Sequence, residues 1–157
     1  MKTMEDYKAF LAQVRETTGI EAFVPNDDGL ASLRVDDAYN VNFQFVEGSG
    51  HVLCFIEMAE LPQDAPKAVY RDLLAAGLFG KETGGGYFAL EPTTETLVYN
   101  FLFDLETAVA DVDDFIASIE KILQLCDLWN ERIQRVIAGH DSHNDGKMPE
   151  KHEFIKA

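Results

Sequence analysis

Two periods of apolar and polar residues alternate along this chain, and they predict helices and strands in a definite order. A period near 3.6 residues predicts amphipathic helices over residues 4–17, 65–80 and 111–137. A period of two, or a run of aromatic and β-branched residues, predicts strands over residues 30–35, 39–45, 51–61, 87–90 and 96–104. The order αβββαββα predicts an α+β fold with a twisted, mainly antiparallel five-stranded sheet covered by helices.

Capping and turn residues place the ends of these elements. Thr3 followed by Asp6 predicts a capping box at the start of the first helix. Asp64 is positioned to cap the middle helix, and Gly80 is positioned to end it. The glycines at 84–86 then reverse the chain into the fourth strand.

The fifth predicted strand is apolar on both faces. Its side chains alternate in direction, so Tyr99 and Phe101 lie on one face while Val98 and Leu102 lie on the other. A strand of this kind needs a cover on each face. We therefore expect helices on one side of the sheet and a second subunit or a partner on the other.

Composition limits the classes of function. The chain has 157 residues, 46% of them hydrophobic, and a net charge of −15 from 13 Lys and Arg against 28 Asp and Glu. A surface so acidic repels nucleic acids and anionic membranes, so we expect neither as a partner. Without a signal-peptide pattern or a membrane-spanning run, the sequence predicts a cytosolic protein.

The residues divide into one folded domain and a tail. Residues 1–138 carry the periodic patterns, whereas residues 139–157 are polar and aperiodic and predict a flexible tail. Cys54 and Cys126 lie inside apolar segments without CxxC spacing, which predicts reduced, buried thiols.

One long run resembles a known family. A helix with a Leu-Leu…Leu-Phe ending, a glycine-rich turn, the strand Phe88-Ala89-Leu90-Glu91, an apolar strand and a long helix with Trp129 near its end are similar to the Tir chaperone (CesT-like) family, class I, of type III secretion. The resemblance covers about residues 4–137. It implies a homodimeric bacterial protein that binds the N-terminal chaperone-binding segment of a secreted effector, keeps that segment soluble and extended for export, and hydrolyses no nucleotide.

Two sets of apolar residues are candidates for these contacts, and each residue has an ordinary core position as its alternative. An extended client would add main-chain hydrogen bonds at a sheet edge and place side chains in apolar pockets. The candidate client contacts on the first helix and early strands are Phe10, Val14, Leu33, Val35, Val41, Phe43 and Phe45. The candidate dimer contacts on the middle helix, the segment after it and the fifth strand are Val69, Tyr70, Leu73, Leu74, Leu78, Tyr99 and Phe101.

Two further interactions remain open at the level of sequence. The acidic surface is a candidate docking site for the export ATPase. An alternative function is a regulatory or scaffold domain of the same fold that binds a folded partner or a small ligand.

Catalytic and metal-binding patterns are weak. His51 is the one histidine before the tail, so a catalytic triad in the folded domain would depend on it alone. The glycines at 84–86 lead into a strand, whereas a phosphate-binding loop leads into a helix. The segment 141–146 approaches the start of a calcium loop, but His143 stands at its third position. We therefore expect no enzyme activity, no cofactor and no metal.

Overall fold

The computed structural model describes residues 2–139, and the predicted tail and calcium-like segment lie outside these residues. The elements are α1 (Met4–Thr18), β1 (Leu30–Val35), β2 (Tyr39–Val46), β3 (His51–Glu60), α2 (Lys67–Ala76), β4 (Tyr87–Glu91), β5 (Thr96–Asp104), α3 (Leu105–Ala110) and α4 (Val112–Ile137). The predicted strands are all present.

The five strands form one sheet in the order β1-β2-β3-β5-β4, and every neighbouring pair is antiparallel. The predicted α+β fold is confirmed. The strand order places β1 and β4 at the two edges, because the connection from β3 through α2 and β4 returns the chain so that β5 pairs with β3.

The helices α1, α2 and α4 pack on one face of the sheet. On this face Phe43 of β2 lies 5.9 Å from Phe115 of α4, and Phe88 of β4 lies 5.2 Å from Trp129, also of α4, between ring centroids. The opposite face carries Leu102, which is 52% exposed. Within residues 2–139, helices thus cover one face of the sheet, which is the part of the expectation that concerns helices.

Polar side chains occupy part of the uncovered face. On β2, Asn42 accepts a hydrogen bond from Ser32 Oγ at 2.6 Å and donates one to the Phe55 carbonyl at 3.2 Å. Nearby, Asn40 donates to Glu57 Oε2 at 2.8 Å. The polar residues of β2 therefore lie on the face without helices, and Asn42 is buried there.

The start of α1 agrees with the sequence. Thr3 and Asp6 form the predicted capping box, in which Thr3 N–H donates to Asp6 Oδ2 at 2.8 Å. These hydrogen bonds, first that from the Thr3 backbone, lower the pKa of the Asp6 carboxyl. They stabilise the charged form of that carboxyl and the first turn of α1 together.

Three details of the middle and late chain differ from the prediction. The N-cap of α2 is Pro66, with no side-chain cap, so the prediction of an Asp64 cap is wrong. The helix also ends at Ala76, before a separate 3-10 turn over Leu78–Gly80, so Gly80 does not terminate it. Finally, α3 was not predicted because six residues are too few to show a helical period.

The glycine turn after α2 is held against β5 and α4. Tyr99 Oη donates a hydrogen bond to the Thr83 carbonyl at 2.6 Å, and Trp129 Nε1 donates to the Glu82 carbonyl at 3.3 Å. Arg132 Nη1 lies 3.6 Å from Glu82 Oε1 and its guanidinium lies 4.8 Å from the Trp129 ring centroid. The turn is therefore a packed part of the fold.

We expect Gly86→Ala to lower the free energy of unfolding by about 2–3 kcal/mol. A Cβ at residue 86 would overlap the Asn100 carbonyl oxygen and the Tyr99 ring, and the Asn100 carbonyl is backbone that cannot rotate away. Urea denaturation followed by circular dichroism measures the change.

Gly77→Ala is the matched control for this substitution. Gly77 has φ −72°, and the nearest atom to its Cβ position is the Leu74 carbonyl oxygen at 3.4 Å. We expect a change within about 1 kcal/mol. Equal losses in the two variants would contradict the close packing of Gly86.

Candidate functional site

An open apolar groove lies between β1, β2, α4 and the C-terminal end of α1. Its volume is about 440 Å³, within the usual range for ligand-binding clefts. We call it the β1–α4 groove, and the residues that line it are Val14, Thr17, Thr18, Ile20, Phe23, Leu33, Val35, Val41, Phe43, Asp113, Phe115, Ile116, Ile119, Glu120 and Leu123.

The floor of the groove is aromatic and closed to solvent. Phe43 at its centre is fully buried, and its ring centroid lies 5.7 Å from Phe23 and 5.9 Å from Phe115. Val14 and Val41, also without appreciable exposure, complete the floor. The floor is therefore a preformed support beneath the accessible walls of the groove.

The walls of the groove remain partly accessible. Leu33 and Val35 of β1 are half-buried and form one wall, and Ile20, 40% exposed, lies near the end of α1. These apolar side chains have no complete cover within residues 2–139. They are the surfaces that an apolar ligand could bury.

The opposite wall belongs to α4 and was not assigned to a site from the sequence. Ile116, Ile119 and Leu123 are half-buried and line the groove, whereas sequence periodicity placed them in the core stripe of the long helix. The width of the apolar stripe on α4 is the sequence feature that could have identified them. These three residues form a second apolar row beside the row that includes Phe115 and Ile122, so the stripe is wider than one packed face requires.

Hydrogen bonds fix the elements that form the groove. Tyr7 Oη of α1 donates to the Phe43 carbonyl at 3.2 Å. Tyr39 Oη donates to Asp127 Oδ1 of α4 and accepts from Asn130 Nδ2 at 3.2 Å. Burial first, and then the bond to Asp127, raises the pKa of Tyr39, which therefore stays protonated as a donor at neutral pH.

The candidate client contacts divide between the groove and the closed core. Val14, Leu33, Val35, Val41 and Phe43 line the groove. The remaining two do not.

Of these two, Phe10 packs edge-on against Phe115 at 4.9 Å, and Phe45 stacks on Tyr7 at 5.4 Å. Both are buried within the single chain. The client contact that remains a proposal therefore rests on the half-buried Leu33 and Val35, with the buried Val14, Val41 and Phe43 forming the floor beneath them.

A second apolar surface lies at the end of α2. Leu74, Leu78 and Phe79 are 81%, 56% and 75% exposed, and we call these three residues the α2 patch. Phe79 has φ +61°, a left-handed conformation that a bulky residue rarely adopts. Large apolar side chains seldom remain so exposed without a partner, so this surface is a candidate interface.

A shallower cleft of about 190 Å³ adjoins the α2 patch. It lies between α2 and β4 and shares Leu74 with the patch. Its residues are Leu61, Tyr70, Leu73, Leu74, Phe88, Ala89, Leu90 and Leu97. The two surfaces together form one continuous apolar region at this end of the molecule.

The candidate dimer contacts divide in the same way. Leu74 and Leu78 belong to the α2 patch, and Tyr70 and Leu73 line the adjoining cleft. The other three, Val69, Tyr99 and Phe101, pack against the core: Val69 and Tyr99 are fully buried, and Phe101 is half-buried. Residues without exposed surface cannot contact a second copy, so the dimer proposal rests on the exposed members.

Comparison with known proteins identifies the family. Residues 9–130 match the model of the Tir chaperone protein (CesT) family. The chain belongs to this family. The match spans both the β1–α4 groove and the α2 patch, and no curated protein matches the sequence.

Solved structures share the fold of this Tir chaperone family member. A chain of the ExsC–ExsE complex superposes with TM-score 0.68 at 16% identity, covering 87% of this chain and 97% of that one. A chain of the HopA1–SchA chaperone–effector complex gives 0.65 at 18%, covering 82% and 95%. The Yersinia pestis chaperone SycH with a fragment of YscM2 gives 0.56 at 17%, covering 76% and 98%.

Reactive chemistry is sparse in the described part of this Tir chaperone family member. Burial raises the pKa of the Cys126 thiol to about 12, and it also raises that of Cys54, so neither is a ready nucleophile. Within residues 2–139, no three His, Cys, Asp or Glu side chains are grouped to hold a metal ion. No helix in the same residues is long and apolar enough to cross a membrane.

Proposed function

We propose that this protein is a type III secretion chaperone that binds the N-terminal segment of a secreted effector in the β1–α4 groove. The observation that carries the proposal is an apolar groove of about 440 Å³ left open in a member of the Tir chaperone family. Bound clients in similar structures support it, since HopA1–SchA is a chaperone–effector complex and SycH is bound to a fragment of YscM2.

The position of the groove suits an extended client. Because β1 is an edge strand, its outward backbone groups after Leu30 can pair with another strand, whereas those of Leu30 already bond to Asn26. Leu33 and Val35, two residues apart, point from that strand into the groove. A client strand beside β1 would gain main-chain hydrogen bonds while its alternate side chains entered the groove.

Binding of this kind keeps a client non-globular by competing with its own folding. Apolar client side chains that occupy the groove are unavailable for the client's core. The chaperone needs no bond-breaking chemistry for this role, and its family is a chaperone family, which supports a non-enzymatic function.

The working unit in this proposal is a homodimer in the bacterial cytoplasm. The exposed Leu74, Leu78 and Phe79 of the α2 patch, with the adjoining cleft, supply an apolar surface that would pair with the same surface of a second copy. The acidic surface, with a net charge of −15, is the proposed contact for the export ATPase.

Co-expression tests this function directly. The full chain is co-expressed with the N-terminal ~100 residues of the secreted protein encoded beside it, a length suited to wrapping a dimer. We expect a light-scattering mass equal to two 17.6 kDa chains plus one client, and a client that proteases still cleave readily. Binding only to a folded, protease-resistant partner would instead favour a scaffold.

A further inference from the structure

The charged residues that line the β1–α4 groove all carry the same sign. Of its fifteen lining residues only Asp113 and Glu120 are charged, and both belong to α4. Among residues 2–139, no lysine or arginine lines the groove. The apolar walls are thus accompanied by a purely acidic rim.

The two carboxylates are arranged along one side of the helix. Glu120 follows Asp113 by seven positions, so the two lie about two turns or 10 Å apart along α4, with Ile116 and Ile119 between them. Both side chains are exposed. An extended or helical segment in the groove would pass both carboxylates in turn.

Among the residues that the structure describes, none neutralises either carboxylate. Within residues 2–139, Asp113 and Glu120 make no ion pair and their side chains accept no hydrogen bond. The nearest cation by sequence, Lys121, is absent from the groove lining. Arg15 at the far end donates to the Phe23 carbonyl. Both rim carboxylates therefore remain available to a bound segment.

We propose that the β1–α4 groove selects client segments in which large apolar side chains are flanked by lysine or arginine about 10 Å apart. This inference rests on the proposed function and names the chemistry of its client. The apolar side chains would supply most of the affinity, and the flanking cations would supply specificity by pairing with Asp113 and Glu120. A segment with acidic flanks would be repelled at the same positions.

Selection from a random 15-residue peptide display library on the immobilised full chain tests the proposal. For the wild type we expect peptides enriched in apolar residues and in Lys and Arg at two positions flanking them. With the Asp113→Asn/Glu120→Gln double variant, we expect the apolar enrichment to persist and the basic enrichment to disappear.

A matched control separates the rim from the general acidity of the protein. Glu60→Gln/Asp64→Asn removes the same two charges from exposed residues that do not line the groove. We expect this control to select the same basic peptides as the wild type. Circular dichroism checks that every variant is folded.

Affinity for one selected peptide, measured by fluorescence anisotropy, gives the size of the effect. We expect the rim variant to bind about 3- to 10-fold more weakly at low salt, as two partly exposed ion pairs predict, and the control to stay within about twofold of the wild type. Equal loss in both variants would overturn the rim as the selecting feature.

The outcomes distinguish this inference from the proposed function. In one outcome, the wild type selects apolar peptides without a basic preference, and Leu33→Asp or Ile119→Asp loses this apolar enrichment. That result overturns the charge selection and leaves the groove as the client site. If the selected peptides are unchanged in both groove variants, the groove is not the client site, and the charge selection is overturned as well.

Discussion

The Leu33→Asp/Ile119→Asp variant should lose client binding by about 100-fold or more while the chain remains folded. The two residues come from opposite walls of the β1–α4 groove, and the exposed part of each half-buried side chain would be covered by a bound client. Losing an apolar contact of this size costs about 1.5–3 kcal/mol, and an aspartate there adds a desolvation cost. Isothermal titration with the client's N-terminal segment measures the loss.

The choice of half-buried residues makes this prediction a test of binding. Phe43 and Phe45 are buried in the single chain, so polar substitutions there would damage the core and remove binding without addressing the groove. Leu33 and Ile119 retain solvent contact, so we expect their replacement to leave the aromatic floor intact.

Leu128→Asp is the control on the same helix. Leu128 is 61% exposed and does not line the β1–α4 groove, so Leu128→Asp makes the same leucine-to-aspartate change outside the proposed client site. We expect client affinity within about twofold of the wild type. Undiminished binding by the groove variant, with both variants folded, would place the client site elsewhere.

The Leu74→Asp/Leu78→Asp variant should change the particle from a dimer to a 17.6 kDa monomer. These residues are 81% and 56% exposed in the single chain, so their apolar surface is free for a second copy. In a two-fold interface each substitution appears twice, and four buried carboxylates would repel one another and lose hydration. Sedimentation velocity measures the mass of both proteins.

Leu102→Asp tests the other face that a second copy could cover. Leu102 is 52% exposed on the side of the sheet that lacks helices. We expect this variant to remain dimeric and the α2 variant to dissociate. The reverse result would move the interface to the uncovered sheet face, and a monomeric wild type would contradict the dimer itself.

Local signals in the sequence determined most of the fold. The predicted fifth strand matches Thr96–Asp104 of the structure, and the long helix matches Val112–Ile137 with Asp111 as its N-cap. Such elements are predictable because their patterns extend over many residues and their ends carry caps. The landmarks of the Tir chaperone family lie in the same stretches.

The short and irregular elements depended on tertiary structure. Asp104 caps α3 by accepting the Thr107 N–H at 3.0 Å, but a six-residue helix is stabilised chiefly by burying Leu105 in the core. The sequence pattern also did not predict that α2 ends early or that Phe79 after it is left-handed. No local preference of Phe predicts that conformation.

The division between core and groove was decided by tertiary structure alone. Periodicity identified Phe45 and Ile119 as apolar positions facing the same interior, yet Phe45 is buried away from the groove and Ile119 lines its open wall. Hydrophobic patterning fixes the direction in which a side chain points. Whether another element covers that side chain depends on how α1 and α4 are spaced across the sheet, and that spacing is set by the packing of the whole domain.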